Sequence, residues 1–536
     1  MYILGIDVGT TGTKCILIDE KGNVLKSAYE SYGLIKSSNN IVEQKADDWW
    51  NALVSTVKEC TNEIIDKGRI KALSISSQGG SLLPVDENGN PLSNVIVWMD
   101  KRGIKQQSDL LKLHTDEFYY KKTGWKLSAG GNMIQIRWLK ENSPDIFCKT
   151  HKFLSTIDYI NYKLTGNYII DPTNAAMTNL IDVKRGVWDD DLLSAAGISE
   201  ERLAKIMEPG EVVGELTLEA AEQLRLNTSL KVINGGHDQY CAAIGTGSVN
   251  EGQLFLSAGT AWVLLGIFNK PIFNTNTYIA PGRHIVKDLW GALVSVPTGG
   301  ISMEWFKDNF GATLLSETLV YEASIYEASI SQTSEDKILY NGLIDKELFE
   351  TPSKKMLSES LKDIDKKASI LMERAKNVYF YPYYNGSGYP YYNKNVKATL
   401  TGLGLEHDRY DMALAIMEGI AFEVNHAIEE FRERGCKLKH LRMIGGGSKS
   451  DLWTDIITNV TGTPVIRLKE AEAACIGASI IAGVGCGVFK DYDDACKHIV
   501  KDEIVTAVDT VKRDFYKSKY EKYKQGIKFI ESYYQG

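Results

Sequence analysis

Close to its start the chain reads Asp7-Val-Gly-Thr-Thr-Gly-Thr-Lys14, which gathers a carboxylate, hydroxyls, small residues and a cation in one short turn. Those groups suit a polyphosphate and its divalent ion. A hard cation takes oxygen ligands, and phosphate oxygens take N–H, O–H and ammonium donors. The segment is not a P-loop, since G-x-x-x-x-G-K-[ST] occurs nowhere in the sequence. A polar hairpin turn without a ligand is the plain alternative. Two later segments weigh against it: Ser257-Ala-Gly-Thr260 repeats the Gly-Thr turn between apolar runs, and Gly445-Gly-Gly-Ser448 forms a third Gly-rich turn.

Lys231 to Tyr240 ends an apolar run in Gly235-Gly236-His237-Asp238, where a helix is expected from about Gln239. A carboxylate there is either an N-cap, worth ~1 kcal/mol, or a general base for a hydroxyl nucleophile. Ser76-Ser-Gln-Gly-Gly80 and Trp98-Met-Asp-Lys-Arg102 set Gln78, Asp100 and Arg102 at strand ends. Such groups hydrogen-bond a polyhydroxylated ligand, with Trp98 to pack on a carbon face; a surface salt bridge between Asp100 and Arg102 is the alternative. His237 beside Asp238 suggests an acid/base pair, but the eight histidines are scattered and no Ser elbow accompanies them, so a hydrolase is disfavoured. The aromatics from Tyr379 to Tyr392 lack the basic residues of a base-stacking platform. A packed loop near a cleft, or a contact with a second copy of the chain, suits them better.

The elements that must position these groups follow from periodicity. Ile3–Ile6 and Cys15–Ile18 form a hairpin, Val24–Tyr29 a third strand, Ala46–Lys67 an amphipathic helix and Ile70–Ser76 a further strand, a β-β-β-α-β series. Residues 252–266 begin a second such series, so internal duplication is the economical reading. The fold class expected is α/β, with two duplicated lobes facing each other across a central cleft, each offering one Gly/Thr hairpin. The expected divisions are 1–247, carrying the sugar-type ligands and the base; 248–490, carrying the nucleotide; and 491–536, a C-terminal helical segment. In the second lobe, a helix over Tyr410–Glu433 and strand Leu441–Ile444 lead into the Gly445 turn and helix Leu452–Val460, a geometry that exposes N–H groups to an anion or nucleotide. Val511, Phe515, Tyr520, Tyr523 and Phe529 mark the inward face of the last helix, between Lys501 and Tyr534.

Composition fits an ordinary globular protein. The chain has 536 residues, 43% hydrophobic and 24% charged, with 12 Pro, which excludes collagen-like, mucin-like and wholly disordered classes. A net charge of −8 offers no general attraction for nucleic acid or anionic lipid, and neither is expected as a partner. Leu254 to Phe268, the longest apolar stretch, is interrupted by Ser257, Gly259, Thr260 and Gly266, too polar for a membrane span. With no secretory pattern at Tyr2–Asp7 and eight scattered cysteines lacking any C-x-x-C, a cytoplasmic protein with reduced thiols is expected.

Taken in order, these segments resemble the FGGY carbohydrate kinases of the actin, sugar kinase and Hsp70 superfamily. Asp7-x-Gly-Thr-Thr is similar to that family's first phosphate hairpin, Ser257-Ala-Gly-Thr260 to its second, and Gly445-Gly-Gly-Ser448 with Asn459-Val-Thr-Gly-Thr-Pro-Val465 to its adenosine motif. Trp98-x-Asp100-x-Arg102, Trp138 to Asn142, Asp158 with Leu164-Thr-Gly166, and Glu418-Gly419 have counterparts as well. The resemblance implies an actin-like (ribonuclease H-like) fold and ATP with Mg2+. Asp238 would be the catalytic base and Asp7 the metal residue. Thr10, Thr11, Lys14, Gly259 and Thr260 would steady the phosphates, and Gly446, Gly447 and Asp451 would border the adenosine. Gln78, Asp100, Arg102, Asp238 and Gln239 would hold a sugar, with D-xylulose first among ketoses and polyols. Two departures stand out. Gly386-Ser-Gly388 replaces a common Gly-Glu-Arg, and Gly79-Gly80 follows Gln78 where xylulokinases often carry Met-His. An actin- or Hsp70-like ATPase acting on protein partners would not need Gln78, Asp100, Arg102 or Asp238, and a catalytically silent regulator would not need Asp7 or Asp238.

Overall fold

The computed structural model describes residues 1–37, 40–311, 363–468, 472–501 and 504–534. The stretch 312–362 of the expected second lobe and residues 502–503 and 535–536 of the expected C-terminal segment lie outside the described residues.

Tyr2–Val8 (β1), Gly12–Asp19 (β2) and Val24–Ser31 (β3) open the chain as an antiparallel meander. Ile3, Leu4, Ile6 and Val8 are all fully buried, as expected for a strand covered on both faces. β3, largely exposed, is the edge. Ile70–Ser77 (β4) and Lys231–His237 (β6) add in parallel, and Val212–Glu215 (β5) closes the far side antiparallel, giving the order β5-β6-β4-β1-β2-β3. Ala46–Thr61 (α1) covers one face with Trp49, Leu53, Val57 and Cys60, whose three- and four-residue spacing forms a single apolar stripe.

The second half repeats the scheme. Gln253–Ala258 (β7), Trp262–Phe268 (β8), Ala280–Arg283 (β9), Trp290–Val296 (β10), His440–Ile444 (β11), Val465–Arg467 (β12) and Ile504–Thr506 (β13) form one sheet in the order β9-β10-β8-β7-β11-β12-β13. β7, β8 and β10 are antiparallel neighbours, whereas β11 and β12 join in parallel. They match β1, β2, β3, β4 and β6 in order and direction. Both sheets thus have the ribonuclease H-like arrangement, and the chain is a mixed α/β protein of two duplicated lobes.

Each lobe's last parallel strand leads into a helix, Asp238–Gly245 (α2) after β6 and Ala473–Gly485 (α5) after β12. α5 is apolar nearly all round, as a helix buried on every side must be. It lies on β1 and β4 of the first sheet and crosses α2. A Cβ on Gly477 would collide with the Cys241 carbonyl, and one on Gly245 with that of Ala473, so glycines set the spacing of this crossing. Around it a third core joins Ile3, Ile16 and Ile233 of one sheet to Phe255 and Leu265 of the other.

Arg409–Glu433 (α3) starts in a capping box of Asp408 and Asp411 and packs against Asp451–Thr461 (α4). The final helix, Thr510–Tyr533 (α6), is buried through Tyr516, Tyr520, Tyr523, Ile527 and Ile530, while Val511 and Phe529, expected inside, are 77% and 71% exposed. Polar partners set that rotation. The Tyr523 hydroxyl donates to Glu423 at 2.7 Å, Tyr520 meets His426 at 2.7 Å, and Lys519 pairs with Glu418 at 2.5 Å. Within the aromatic run, Tyr381, Tyr383 and Tyr389 belong to the second lobe's core, with Tyr383 and Tyr389 donating to Glu423 and Glu430.

Candidate functional site

A cavity of about 360 Å3 lies between the lobes. Thr10, Gln78, Gly79, Trp98, Trp125, Lys126, Met177, His237, Asp238 and Gln239 line it from the first half, and Ala261, Val263, Leu293 and Ser295 from the second. The two hairpins therefore reach the same space.

β6 delivers Asp238. Its last residue, His237, has extended backbone angles (φ −63°, ψ 141°) and occupies the cap position of α2, so Asp238 is the first helical residue and not the cap. The His237 N–H donates to the Thr173 hydroxyl at 2.8 Å, and that hydroxyl donates to buried Asp171. The strand end is thereby anchored. His237 Nδ1, Asp238 Oδ1 and Gln239 Oε1 are all buried without a hydrogen bond, Nδ1 and Oδ1 standing 3.4 Å apart. Native interiors leave few such atoms, and three in adjacent residues lining one cavity mark a place for a polar ligand.

Asp7, near the end of β1, accepts from the Ser76 hydroxyl at 2.7 Å. Burial, reinforced by the negative charge of Asp238, pushes its pKa up to about 7, although the Ser76 bond and Lys14 pull the other way. A carboxylate whose ionisation is disfavoured by burial and by a neighbouring carboxylate suits a hard divalent cation. Mg2+ keeps several waters and takes only one or two carboxylates alongside substrate phosphates, so the donor set here fits it. Among the described residues no group of three or more His, Cys, Asp and Glu gathers to hold a metal.

The other expected residues fall into distinct settings. Thr10 donates its hydroxyl to Gln78 Oε1 at 2.9 Å and accepts from the Trp98 indole at 3.2 Å, while its carbonyl accepts from Gln44 at 2.6 Å. Gln78, 1% exposed, also donates to Gln44 at 3.2 Å. This chain of bonds ties the first hairpin to the wall of the cavity. Thr11 is exposed, its carbonyl taking the Tyr32 N–H. Lys14 pairs with Glu472 at 2.8 Å, at the start of α5.

Asp100 and Arg102 do not line the cavity. Asp100 is buried and accepts from the N–H groups of Val42 (2.7 Å) and Arg102 (2.8 Å), and the Arg102 guanidinium bonds Asp100 and Glu43 while lying over Trp138. The pair is an ion pair, buried and not on the surface, that fixes the loop carrying Trp98. In the second lobe, the Gly445 turn abuts Ala258 just before Gly259: Gly447 is buried there, while Gly446 would have no atom nearer its Cβ than 4.0 Å. Gly259 is similarly open, and the Gly259 and Thr260 carbonyls take the N–H groups of Gly300 and Ile301. Asp451 bonds Arg467 at 2.7 Å and opens onto a separate cavity of about 580 Å3 with Asp365, Lys449, Lys512 and Tyr516.

Sequence reasoning missed Gln44, Trp125, Lys126 and Met177. Gln44 precedes a helix like many polar residues, and only its buried bonds to Thr10 and Gln78 distinguish it.

The family model of the N-terminal domain of FGGY carbohydrate kinases matches residues 2–245, and that of the C-terminal domain matches 254–486. A xylulose kinase of Bacillus subtilis is 26% identical over 502 residues, covering 94% of this chain and 91% of its own. A gluconokinase of Bacillus licheniformis is 24% identical over 493 residues, covering 92% and 89%. The solved structure of a xylulose kinase from Rhodospirillum rubrum superposes with a TM-score of 0.85 at 21% identity, covering all of both chains, which shows the actin-like fold. With both domain models spanning nearly the whole sequence over a matching two-lobed fold, this chain belongs to the FGGY family of carbohydrate kinases and is a sugar kinase.

Proposed function

We propose that this enzyme transfers the γ-phosphoryl group of ATP to a terminal hydroxyl of a ketopentose, with D-xylulose first, and that Asp238 is the base. The observation that carries the reading is the Asp238 carboxylate in the interlobe cavity, its Oδ1 buried without a hydrogen bond and within electrostatic reach of Asp7. The substrate hydroxyl gives its proton to Asp238 as its oxygen attacks the γ-phosphorus in line and the bond to the ADP oxygen breaks. Asp7 would hold Mg2+, which would supply positive charge to offset that of the phosphates. Thr11, Lys14, Gly259 and Thr260 steady the phosphates, and Gly446, Gly447 and Asp451 border the adenosine. Gln239 meets sugar hydroxyls, whereas Gln78 and the Asp100–Arg102 pair act by holding Thr10 and Trp98 in place. Domains 1–247 and 248–490 divide these tasks, and 491–536 braces the second. All eight cysteines are unpaired, which favours a reducing compartment such as the cytoplasm.

Lys126 favours a second substrate class. It is the one cation among the cavity's described lining residues, held between the rings of Tyr278 (4.3 Å) and Tyr392 (4.9 Å), with Asp116 3.6 Å away. An aldonate would bring a carboxylate to meet it, and a gluconokinase is among the relatives. A coupled ADP-release assay over ketopentoses, hexuloses, polyols and aldonates tests both readings. A ketopentose should respond most strongly; an aldonate response lost in Lys126→Met would move the assignment. Asp238→Asn should lower kcat by ~10² to ~10⁴-fold with nucleotide affinity kept. Wild-type turnover by that variant removes Asp238 as the base, and ATP hydrolysis indifferent to every sugar would favour the ATPase.

A further inference from the structure

We infer that His237 is a positioning residue: its Nδ1–H holds Oδ1 of Asp238, so that the other carboxylate oxygen faces the substrate hydroxyl. The inference rests on the reading of Asp238 as the base.

Three observations carry it. His237 Nδ1 and Asp238 Oδ1 stand 3.4 Å apart, and neither has any other partner although both are buried. The His237 side chain is only 9% exposed, and its ring lines the cavity. The ring is also fixed in place: its backbone N–H is held by Thr173, and the Tyr240 ring packs edge-on with centroids 6.2 Å apart. Gly79 provides the room, because a Cβ at that position would stand 2.7 Å from His237 Cδ2 and 2.8 Å from Met177 Cγ. In this confined setting Nδ1 faces Asp238.

A carboxylate needs only one oxygen to take a proton. Without a partner for the other, Asp238 is free to rotate, and a misplaced base loses rate steeply. A hydrogen bond from Nδ1–H to Oδ1, slightly shorter than the present separation, selects one rotamer. No proton leaves His237 in this scheme, so the substrate proton and the phosphoryl group move as in the mechanism above.

The test uses the full-length protein with Mg·ATP and the sugar that best drives ADP release. In His237→Asn the amide nitrogen falls near the place of Nδ1; in His237→Gln it falls near Nε2; His237→Phe keeps the ring without a donor. Phe and Gln should lower kcat ~10- to ~10²-fold with KM held within about twofold, and Asn should restore most of the rate. In the Asp238→Asn background His237→Phe should cost nothing further. Nitrogen-15 spectra of the resting protein should show the Nδ1–H tautomer, an observation that needs no turnover. Rescue by Gln in place of Asn, a loss confined to KM, unchanged kinetics in Phe, or an Nε2–H tautomer would each overturn the inference. Should Phe fail to fold, the Asn and Gln pair decides. Turnover surviving in Asp238→Asn overturns the base assignment itself. An inactive Asp238→Asn beside indifferent His237 variants overturns only the positioning role.

Discussion

Asp7 in the first lobe and Ser257 in the second stand at the same point of matching strands, one residue before the end. Asp7 is opposite Lys14 on one side and Ser76 on the other; Ser257 is opposite Val263 and Ile444. The helices that follow each sheet repeat the contrast. α2 begins with Asp238, whose Oδ1 has no hydrogen bond and, among the described residues, no Lys or Arg to meet it, whereas α5 begins beside Glu472, whose charge is met by Lys14. Duplication supplied two equivalent turns and two equivalent helix starts, and charge is concentrated in one of them. The second lobe offers open glycines, Gly259 and Gly446, where the backbone is accessible to a large anion. On the proposed reading, the base and the metal residue stand in one lobe and the open glycines of the nucleotide cradle in the other.

Replacing Asp7 should separate the halves most sharply. Asp7→Asn is expected to lose Mg2+-dependent turnover ~10²-fold or more, checked by titrating the metal against both proteins. The same substitution should stabilise the ligand-free enzyme. A carboxyl whose pKa rises from 3.8 unfolded to about 7 folded binds its proton more tightly in the native state, so stability falls as pH rises from about 4 to 7 and the full cost is present above 7. Thermal melts in EDTA should show Asp7→Asn gaining up to about 4 kcal/mol at pH 8 and nothing near pH 4. A gain independent of pH would mean that Asp7 is not strained by its charge.

Next in size is the crossing of α2 and α5. Gly477→Ala forces a methyl group onto the Cys241 carbonyl, a backbone atom that cannot swing aside. A loss of ~3 kcal/mol is expected by urea denaturation. The kinetic consequence should be larger for kcat than for nucleotide binding, because α2 carries Asp238. An unchanged midpoint would show that the lobes are less tightly registered than the packing implies.

Glu472→Gln sharpens the comparison of helix starts. Lys14 and Glu472 are about a third exposed, and such pairs contribute ~0 to ~1 kcal/mol. Stability should therefore change by less than ~1 kcal/mol and turnover by a few-fold, against the collapse expected for Asp238→Asn. A large loss in Glu472→Gln would make the two carboxylates equal partners.

The meander, the duplication and the strand-to-helix turn at Asp238 were legible because they rest on local pattern: apolar runs, Gly-Thr turns and a carboxylate after paired glycines. Two failures have a common physical cause. The rotation of α6 depends on Glu418, Glu423 and His426, a hundred residues away in sequence and buried on another helix. The placement of Asp100 and Arg102 depends on Val42, Glu43 and Trp138, which turn two residues of ligand-binding type into a brace. Residue type and spacing locate a polar group at a strand end, but they do not say whether tertiary partners have already consumed its hydrogen bonds. Gln78 shows both outcomes at once, lining the cavity while its amide is engaged by Thr10 and Gln44.

Ser257→Ala should have the smallest effect. Its cross-strand neighbours, Val263 and Ile444, are apolar, so removing the hydroxyl strands no charged partner. Where a deleted group leaves no buried partner unsatisfied, the cost of losing a hydrogen bond is ~1 kcal/mol or less. Turnover within about threefold of wild type, and a metal titration that superposes on it, are expected. The Asp7 and Ser257 variants then differ by ~30-fold or more at equivalent points of a duplicated frame. Should Ser257→Ala shift the metal titration as far as Asp7→Asn does, both hairpins would share the ion, and the division of charge between the lobes would give way to a symmetric clamp on the phosphates.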